Sequence, residues 1–415
     1  MDIYITEINL TQNIVYFFFL NKENFEKNKP FLQTMTYLGS NENKNLIEKL
    51  QERYGEIELN FFGKKFDDIL LYESENCKIK IHNVRYNFRK LNKKNHVPQI
   101  GYILRGNRNL ASSRIQGLTI LDKLKNDKDI NLILLHMPEV KWENDLSDSR
   151  LAEILWSILL LDLNVCIFQK TSNKNHIQVM AFCKVLEIQT IYIECDLQRS
   201  WNFEKYIDHF VVPTKNMASV IELVVNRKSM VIRDCIDFEL QISTDRQAFV
   251  KRSGNVFRGC WIAMGDKFPH FNMLREAIRN IDASIEIDAI SNHPQADVKW
   301  ESGLFPEILN RYQFAFITME KSLDNCIKSE NRVIFPMYHS LPVVCQRHAA
   351  YEDVIVNAEN GFMYSTPKEA CSQILQLKNK EVFSTIVSKG VETSQYYTAK
   401  NVSRVWKEFL LACSK

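Results

Sequence analysis

The chain has 415 residues, of which 45% are hydrophobic and 25% charged, and its formal net charge is +3. That length allows about three domains at roughly 100 to 200 residues each. The composition excludes whole-chain disorder, a collagen-like repeat and a strongly basic nucleic-acid-binding protein. The ten cysteines, among them Cys166, Cys183, Cys195, Cys235 and Cys345, lie mostly in apolar segments and form no CxxC pair. They read as reduced core residues, and neither a disulfide framework nor a structural metal site is expected.

Residues 1 to 20 carry acids at Asp2 and Glu7 and lack both a basic leader and a small-residue cleavage site, so a cytoplasmic location is expected. Residues 1–97 hold strand-like runs (IVYFFFL, IELNFF, DILLYE, CKIKIHNV) and one helical stretch, NKNLIEKLQERYG, which together suggest an α+β accessory domain. At its end Arg85, Arg89, Lys90, Lys93 and Lys94 interleave with Tyr86 and Phe88. The segment 85–94 reads as a solvated linker, with peripheral contact to an anionic membrane surface at the inner face as the functional alternative.

From residue 98 the pattern changes to βαβ alternation. QIGYILRG, NLILLHM, NVCIFQK, TIYIEC, HFVVP and KSMVIR read as strands, and helical patterns starting at SSRIQG, DLSDSR, NKNHIQ and KNMASV lie among them. The longest apolar run, LAEILWSILLLDLNVCIF, is broken by Glu153 and Asp162 and fits a buried helix and strand better than a membrane span of about 20 nearly uncharged residues. A polar stretch from Ser243 to Asn255 reads as a linker. A second series follows, with strands FRGCWIAMG, SIEIDAIS, FAFITM and LPVVC and helices FNMLREAIRNI, FPEILNRY, ENRVIFPMYH, AAYEDVIV, KEACSQILQL and EVFSTIVSK. The expected fold is therefore α/β, with two doubly wound Rossmann-like domains at 98–250 and 251–400 after the accessory domain, and a C-terminal helix at 401–415. No internal repeat or low-complexity tract is evident.

Ligands of open parallel sheets bind beyond the carboxyl ends of the strands, where helix N-termini offer free N–H groups. After FAFITM, the residues Lys328, Ser329 and Asn331 stand at a helix start, a cluster able to hold a diphosphate without metal. The competing reading makes Ser329 a cap and leaves Lys328 and Arg332 as surface charges. In the first series Ser112, Ser113 and Arg114 open a helix and are candidates for an acceptor phosphate, with Ser112 as a plain N-cap as the alternative. His136, Lys170 and Asp196 end strands on the same edge and are candidate general bases. Asp196 is preferred, because Glu194 beside it would raise its pKa. Asp127 to Asp129 (DKD) reads as a solvated turn rather than a metal site.

The stretch KSENRVIFPMYHSLPVV, followed by AAYEDVI and NGFMY, resembles the donor-binding half of the family-four-like group of GT-B glycosyltransferases. ASSRIQG, TIYIECDL, FVVPT and CWIAMG are similar to further stretches of those enzymes, so the likeness covers about residues 98 to 400. It implies a glycosyltransferase that binds a nucleotide-diphosphate sugar in the second Rossmann-like domain and a glycan, lipid-linked or protein acceptor in the first. Neither a cofactor nor a metal is expected. By position, Lys328 and Ser329 would contact the donor phosphates, Asn331 and Arg332 would orient that loop or the sugar, and Gly265 and Lys267 would lie by the leaving diphosphate. The last helix would cross back to the first Rossmann-like domain. The sequence departs from the family at Phe335 and Ile327, where a pair of glutamates is usual and one grips the ribose. A non-catalytic sugar-nucleotide or glycan-binding subunit is the rival expectation.

Overall fold

In the computed structural model of the protein, the described residues are 2–10, 13–19, 69–74, 77–85, 97–161, 163–197, 201–237, 256–300, 308–320 and 322–414. The linker Ser243–Asn255, the basic segment beyond Arg85 and the helical stretch NKNLIEKLQERYG lie outside them. In the N-terminal region β1 (Asp2–Leu10), β2 (Asn13–Phe19), β3 (Ile69–Ser74) and β4 (Cys77–Arg85) form an antiparallel sheet in the order β2-β1-β4-β3.

Two six-stranded parallel sheets follow. The first contains β5 (Gln99–Leu104), β6 (Asn131–His136), β7 (Val165–Gln169), β8 (Gln189–Ile193), β9 (His209–Val212) and β10 (Ser229–Val231), in the order β10-β9-β8-β7-β5-β6. Its strands are continuous apolar runs because helices cover both faces. Cys166, Phe168 and Tyr192 point into one core layer, whereas Val165, Ile167 and Ile191 point into the other. The second layer is closed by the last helix, Ala399–Cys413, whose Val402, Trp406 and Leu410 pack among these residues of the first sheet. Lys407 on the same helix pairs with Asp127 and Asp129, so the DKD turn is a docking point for a distant helix as well as a solvated turn.

The second sheet contains β11 (Phe257–Ile262), β12 (Ile285–Ser291), β13 (Val298–Lys299), β14 (Phe314–Ile317), β15 (Val343–Gln346) and β16 (Phe362–Tyr364), in the order β13-β12-β11-β14-β15-β16. Gly259 of β11 lies under Phe314, and a Cβ there would come within 2.3 Å of the ring, so close strand packing requires glycine. The chain reverses its direction of travel across each sheet, between β5 and β7 in the first and between β11 and β14 in the second. Such switch points open crevices at the carboxyl ends of the strands.

Candidate active site

The first switch point is lined by the segments that follow β5 and β7. After β5, Gly106 turns the chain, and an added Cβ would sit 2.1 Å from the Lys141 carbonyl oxygen. The next helix begins at Ala111–Ser113, passes through a π-helical turn at Arg114–Leu118 and continues through Thr119–Leu124. Such turns are uncommon and occur frequently at functional sites. The turn brings Gln116 inward, where its Oε1 accepts from Gln169 Nε2 at 3.2 Å and its Nε2 donates to Asp234 Oδ1 at 3.0 Å. Ser113, fully buried, accepts from the Gly106 N–H and donates to Gln169 Oε1.

After β7 the chain passes through Lys170 at φ 57°. A left-handed conformation is costly for a non-glycine residue and is held only when its surroundings over-determine it. Here the Lys170 N–H bonds to the Ile193 carbonyl and the ammonium bonds to Asp196 Oδ2. The other oxygen of Asp196 bonds to the ammonium of Lys328 from the second domain. Burial opposes ionisation of Asp196, but the Lys170 and Lys328 charges outweigh it and hold the carboxyl at about 2. This reverses the raised pKa anticipated from Glu194. Glu194 turns its own Oε1 to the backbone N–H groups of Cys195 and Asp196, at 2.8 and 2.9 Å, while the lysines flank Asp196. A carboxylate with both oxygens taken by ammonium groups is a poor general base.

His136 is not on this edge of the cleft chemistry either. It ends the edge strand β6, and its Nε2 is paired with Glu143 at 2.7 Å. Arg114 is committed to Asp237 at 2.6 Å and to the Arg108 carbonyl, so it fastens the first helix to the segment that leaves the first sheet. Ser112 keeps a buried hydroxyl without a hydrogen-bond partner.

The second switch point is lined by the segments after β11 and β14. Gly265 donates its N–H to Asn292 Oδ1 at 2.7 Å, and a Cβ there would press on Asn292 and His293 at 3.1 to 3.2 Å. Lys267 pairs with its neighbour Asp266 at 3.2 Å. After β14, Ser322 caps the short helix Leu323–Cys326, and the loop from Ile327 leads to the helix Asn331–Tyr338. This loop is gripped by the first domain. Thr214 Oγ1 donates to the Ile327 carbonyl at 3.0 Å, Asn216 donates to the Cys326 carbonyl at 2.9 Å, and Ile327 itself is buried in a core layer of the first sheet.

Ser329 does not cap the helix but makes a hydrogen bond to Asp234, and Asn331 and Arg332 form the first turn, both half-buried. The residue ahead of that turn is Glu330. Its side chain is 2% exposed and bonds through Oε1 to Arg233 at 2.5 Å. Burial raises the Glu330 pKa, and Arg233 works against the rise. The helix start therefore carries a buried acid across from a guanidinium, which no local pattern in the sequence announces. Phe335 and Ile327, standing where the family has glutamates, are both buried and apolar-packed.

The arrangement can hold an anion. Lys328 from one domain and Lys170 from the other face a common point at the cleft, beside the N–H groups of a helix start. Glu194, Cys195 and Asp196 form the one metal-capable group of three among the described residues. A dication there would have to displace both ammonium groups from Asp196.

No protein family's sequence profile matches the chain, and no curated protein matches it by sequence. Solved structures do match. HepE of Anabaena, with UDP and glucose bound, aligns at a TM-score of 0.58 with 11% identity, covering 76% of this chain and all of HepE. A glycosyltransferase from Rickettsia africae aligns at 0.56 with 11% identity over 77% of this chain, and sucrose-phosphate synthase of Thermosynechococcus elongatus at 0.52 with 10% identity over 76%; both are covered in full. At these identities the likeness establishes the fold, two Rossmann-like domains in the GT-B arrangement.

Proposed function

We propose that the protein is a glycosyltransferase that moves a sugar from a nucleotide-diphosphate sugar to a glycan, lipid-linked or protein acceptor, with the donor in the second Rossmann-like domain. The observation that carries this reading is the loop 322–331. It leaves the second switch point, is pinned against the first domain by Thr214 and Asn216, and presents Lys328 at the cleft. Negative charge collects on the leaving diphosphate as the bond from the sugar's anomeric carbon breaks. Fixed ammonium groups and N–H dipoles that meet that charge are the main requirement for rate. Lys328 and Ser329 would contact the phosphates, Gly265 and Lys267 would border the diphosphate, and Asn331 and Arg332 would orient the loop or the sugar. Ser112 remains a candidate for acceptor contact, whereas Ser113 is fully buried and committed to Gly106 and Gln169.

The reaction as proposed needs no cofactor or metal, because Lys328 supplies positive charge where the leaving group forms. UDP is the first nucleotide to test, since HepE is solved with it. Calorimetry with UDP, GDP and ADP, followed by hydrolysis assays on the matching sugar nucleotide with and without EDTA, examines the proposal. Failure of all three nucleotides to bind would remove it.

Phe335 and Ile327 favour a second reading, a sugar-nucleotide or glycan-binding subunit without transfer activity, because both are core residues unable to hydrogen-bond a ribose. Slow hydrolysis of a nucleotide sugar that is lost in Lys328→Ala would exclude it. Location in the cytoplasm, with contact to a membrane through 85–94, is likewise a proposal; no helix among the described residues is long and apolar enough to cross a membrane.

A further inference from the structure

Lys170, Asp196 and Lys328 form one unit built from two domains. Lys170 is the fixed member. Its side chain is 11% exposed, its backbone is held at φ 57°, and it stands at the switch point of the first sheet. Asp196 and Lys328 are the accessible members, 36% and 37% exposed. Each oxygen of Asp196 bonds one ammonium group, one from each domain. A carboxylate held in this way has the geometry of two terminal oxygens of a phosphate group between two cations.

We propose that Lys170 and Lys328 together form a seat for the phosphate groups of the donor, and that Asp196 occupies this seat as a built-in competitor until the donor displaces it. The inference rests on the glycosyltransferase reading of the cleft and adds to it a cation from the acceptor-side domain and a gate. Lys170 carries an ammonium into a crowded strand end, and because a buried charge is costly unless it meets an opposite one, that place needs an anion, which Asp196 supplies. Its location at the first switch point, opposite the second, is where a ligand spanning both domains would lie.

The remaining charged groups near the seat are Glu194, which is turned to the backbone N–H groups of residues 195 and 196, and Asp234, which is held by Gln116 and Ser329. Asp196 is the carboxylate that bonds both ammonium groups at once, so it is the anion that a ligand must replace. Because the two cations come from different domains, an anion between them favours the closed cleft, and Asp196 keeps the cleft closed when no ligand is present.

The test titrates UDP and, separately, inorganic pyrophosphate into the wild-type protein and into the Asp196→Asn, Lys170→Met and Lys328→Ala proteins, with folding of each checked by its melting curve. Removing the competitor should tighten both ligands about tenfold in Asp196→Asn, and loss of either lysine should weaken both by about as much. Lys170→Arg should keep most of the affinity, which a packing role for the side chain would not require. Unchanged or weaker binding in Asp196→Asn, or unchanged binding in a folded Lys170→Met protein, would overturn the gate or the seat respectively. If UDP, GDP and ADP all fail to bind but pyrophosphate binds with this pattern, the glycosyltransferase reading fails while the two-domain seat stands. If pyrophosphate fails to bind too, the seat fails as well.

Discussion

Lys328 and Asp196 are 132 residues apart in the chain and belong to different domains, yet the ammonium of one is bonded to a carboxylate oxygen of the other. If Lys328 carries leaving-group charge, Lys328→Ala lowers kcat/KM by about 10²- to 10³-fold. Steady-state kinetics with the donor identified by calorimetry measures the loss, and a change within experimental error would remove Lys328 from the chemistry.

The same contact fixes a pH dependence. The Asp196 carboxyl sits at about 2 when folded, below an unfolded value of about 3.9. A depressed pKa stabilises the fold above the unfolded value, and that contribution is lost as pH falls through the folded one. The difference in melting temperature between wild type and Asp196→Asn should therefore be constant from pH 5 to 8 and shrink between about pH 4 and 2.

Asp234 has the opposite sign. It is partly exposed by area but ringed by protein atoms, and burial raises its pKa although Gln116 and Ser329 donate to it. A carboxyl with a raised pKa loses stability for the fold as pH rises from the unfolded value through the folded one. Asp234→Asn, which keeps an acceptor for Gln116, should melt above wild type at pH 8 and close to it at pH 4. A lower melting temperature at pH 8 would show that the ionised form is needed.

The Arg233–Glu330 pair joins the segment after the first sheet to the helix start of the second domain at 2.5 Å. Removing one partner strands the other, and Arg233→Met should cost about 3 kcal/mol, read as a lower urea midpoint. Adding Glu330→Gln to that protein should restore most of the loss, because no buried charge is then left alone. A double variant as unstable as the single one would place the cost in packing instead.

Trp406 is 3% exposed and lies among residues of the first sheet although it belongs to the last helix. Trp406→Ala should cost about 3 to 5 kcal/mol. Hydrogen exchange would report it first as faster opening of residues 399–413, and slow exchange there would mean that the helix is held by its ionic contacts at Lys407.

The alternation of β-branched runs and amphipathic helices was enough to read α/β domains and nearly every strand, because strand and helix periods are local properties of the chain. Lys328, Ser329, Asn331 and Arg332 could be singled out for the same reason, as a helix start is a local event. Their partners could not. Asp234, Arg233, Gln116 and Gln169 meet the site through separations of 53 to 118 residues, and no spacing rule links such positions. The pKa of Asp196 is not legible in the sequence on the same ground. Its sequence neighbour Glu194 argued for a rise, while the two ammonium groups that decide it arrive from 26 and 132 residues away.

The sequence by itself determined the class of fold and which residues could offer charge at strand ends and helix starts. Only the tertiary structure decided which of those charges face one another, whether Asp196 acts as base or counter-ion, and that Ser329 and Glu330 turn toward the first domain. Periodicity is fixed by a few neighbouring residues, but Coulomb interactions fall with distance in space and are indifferent to distance along the chain.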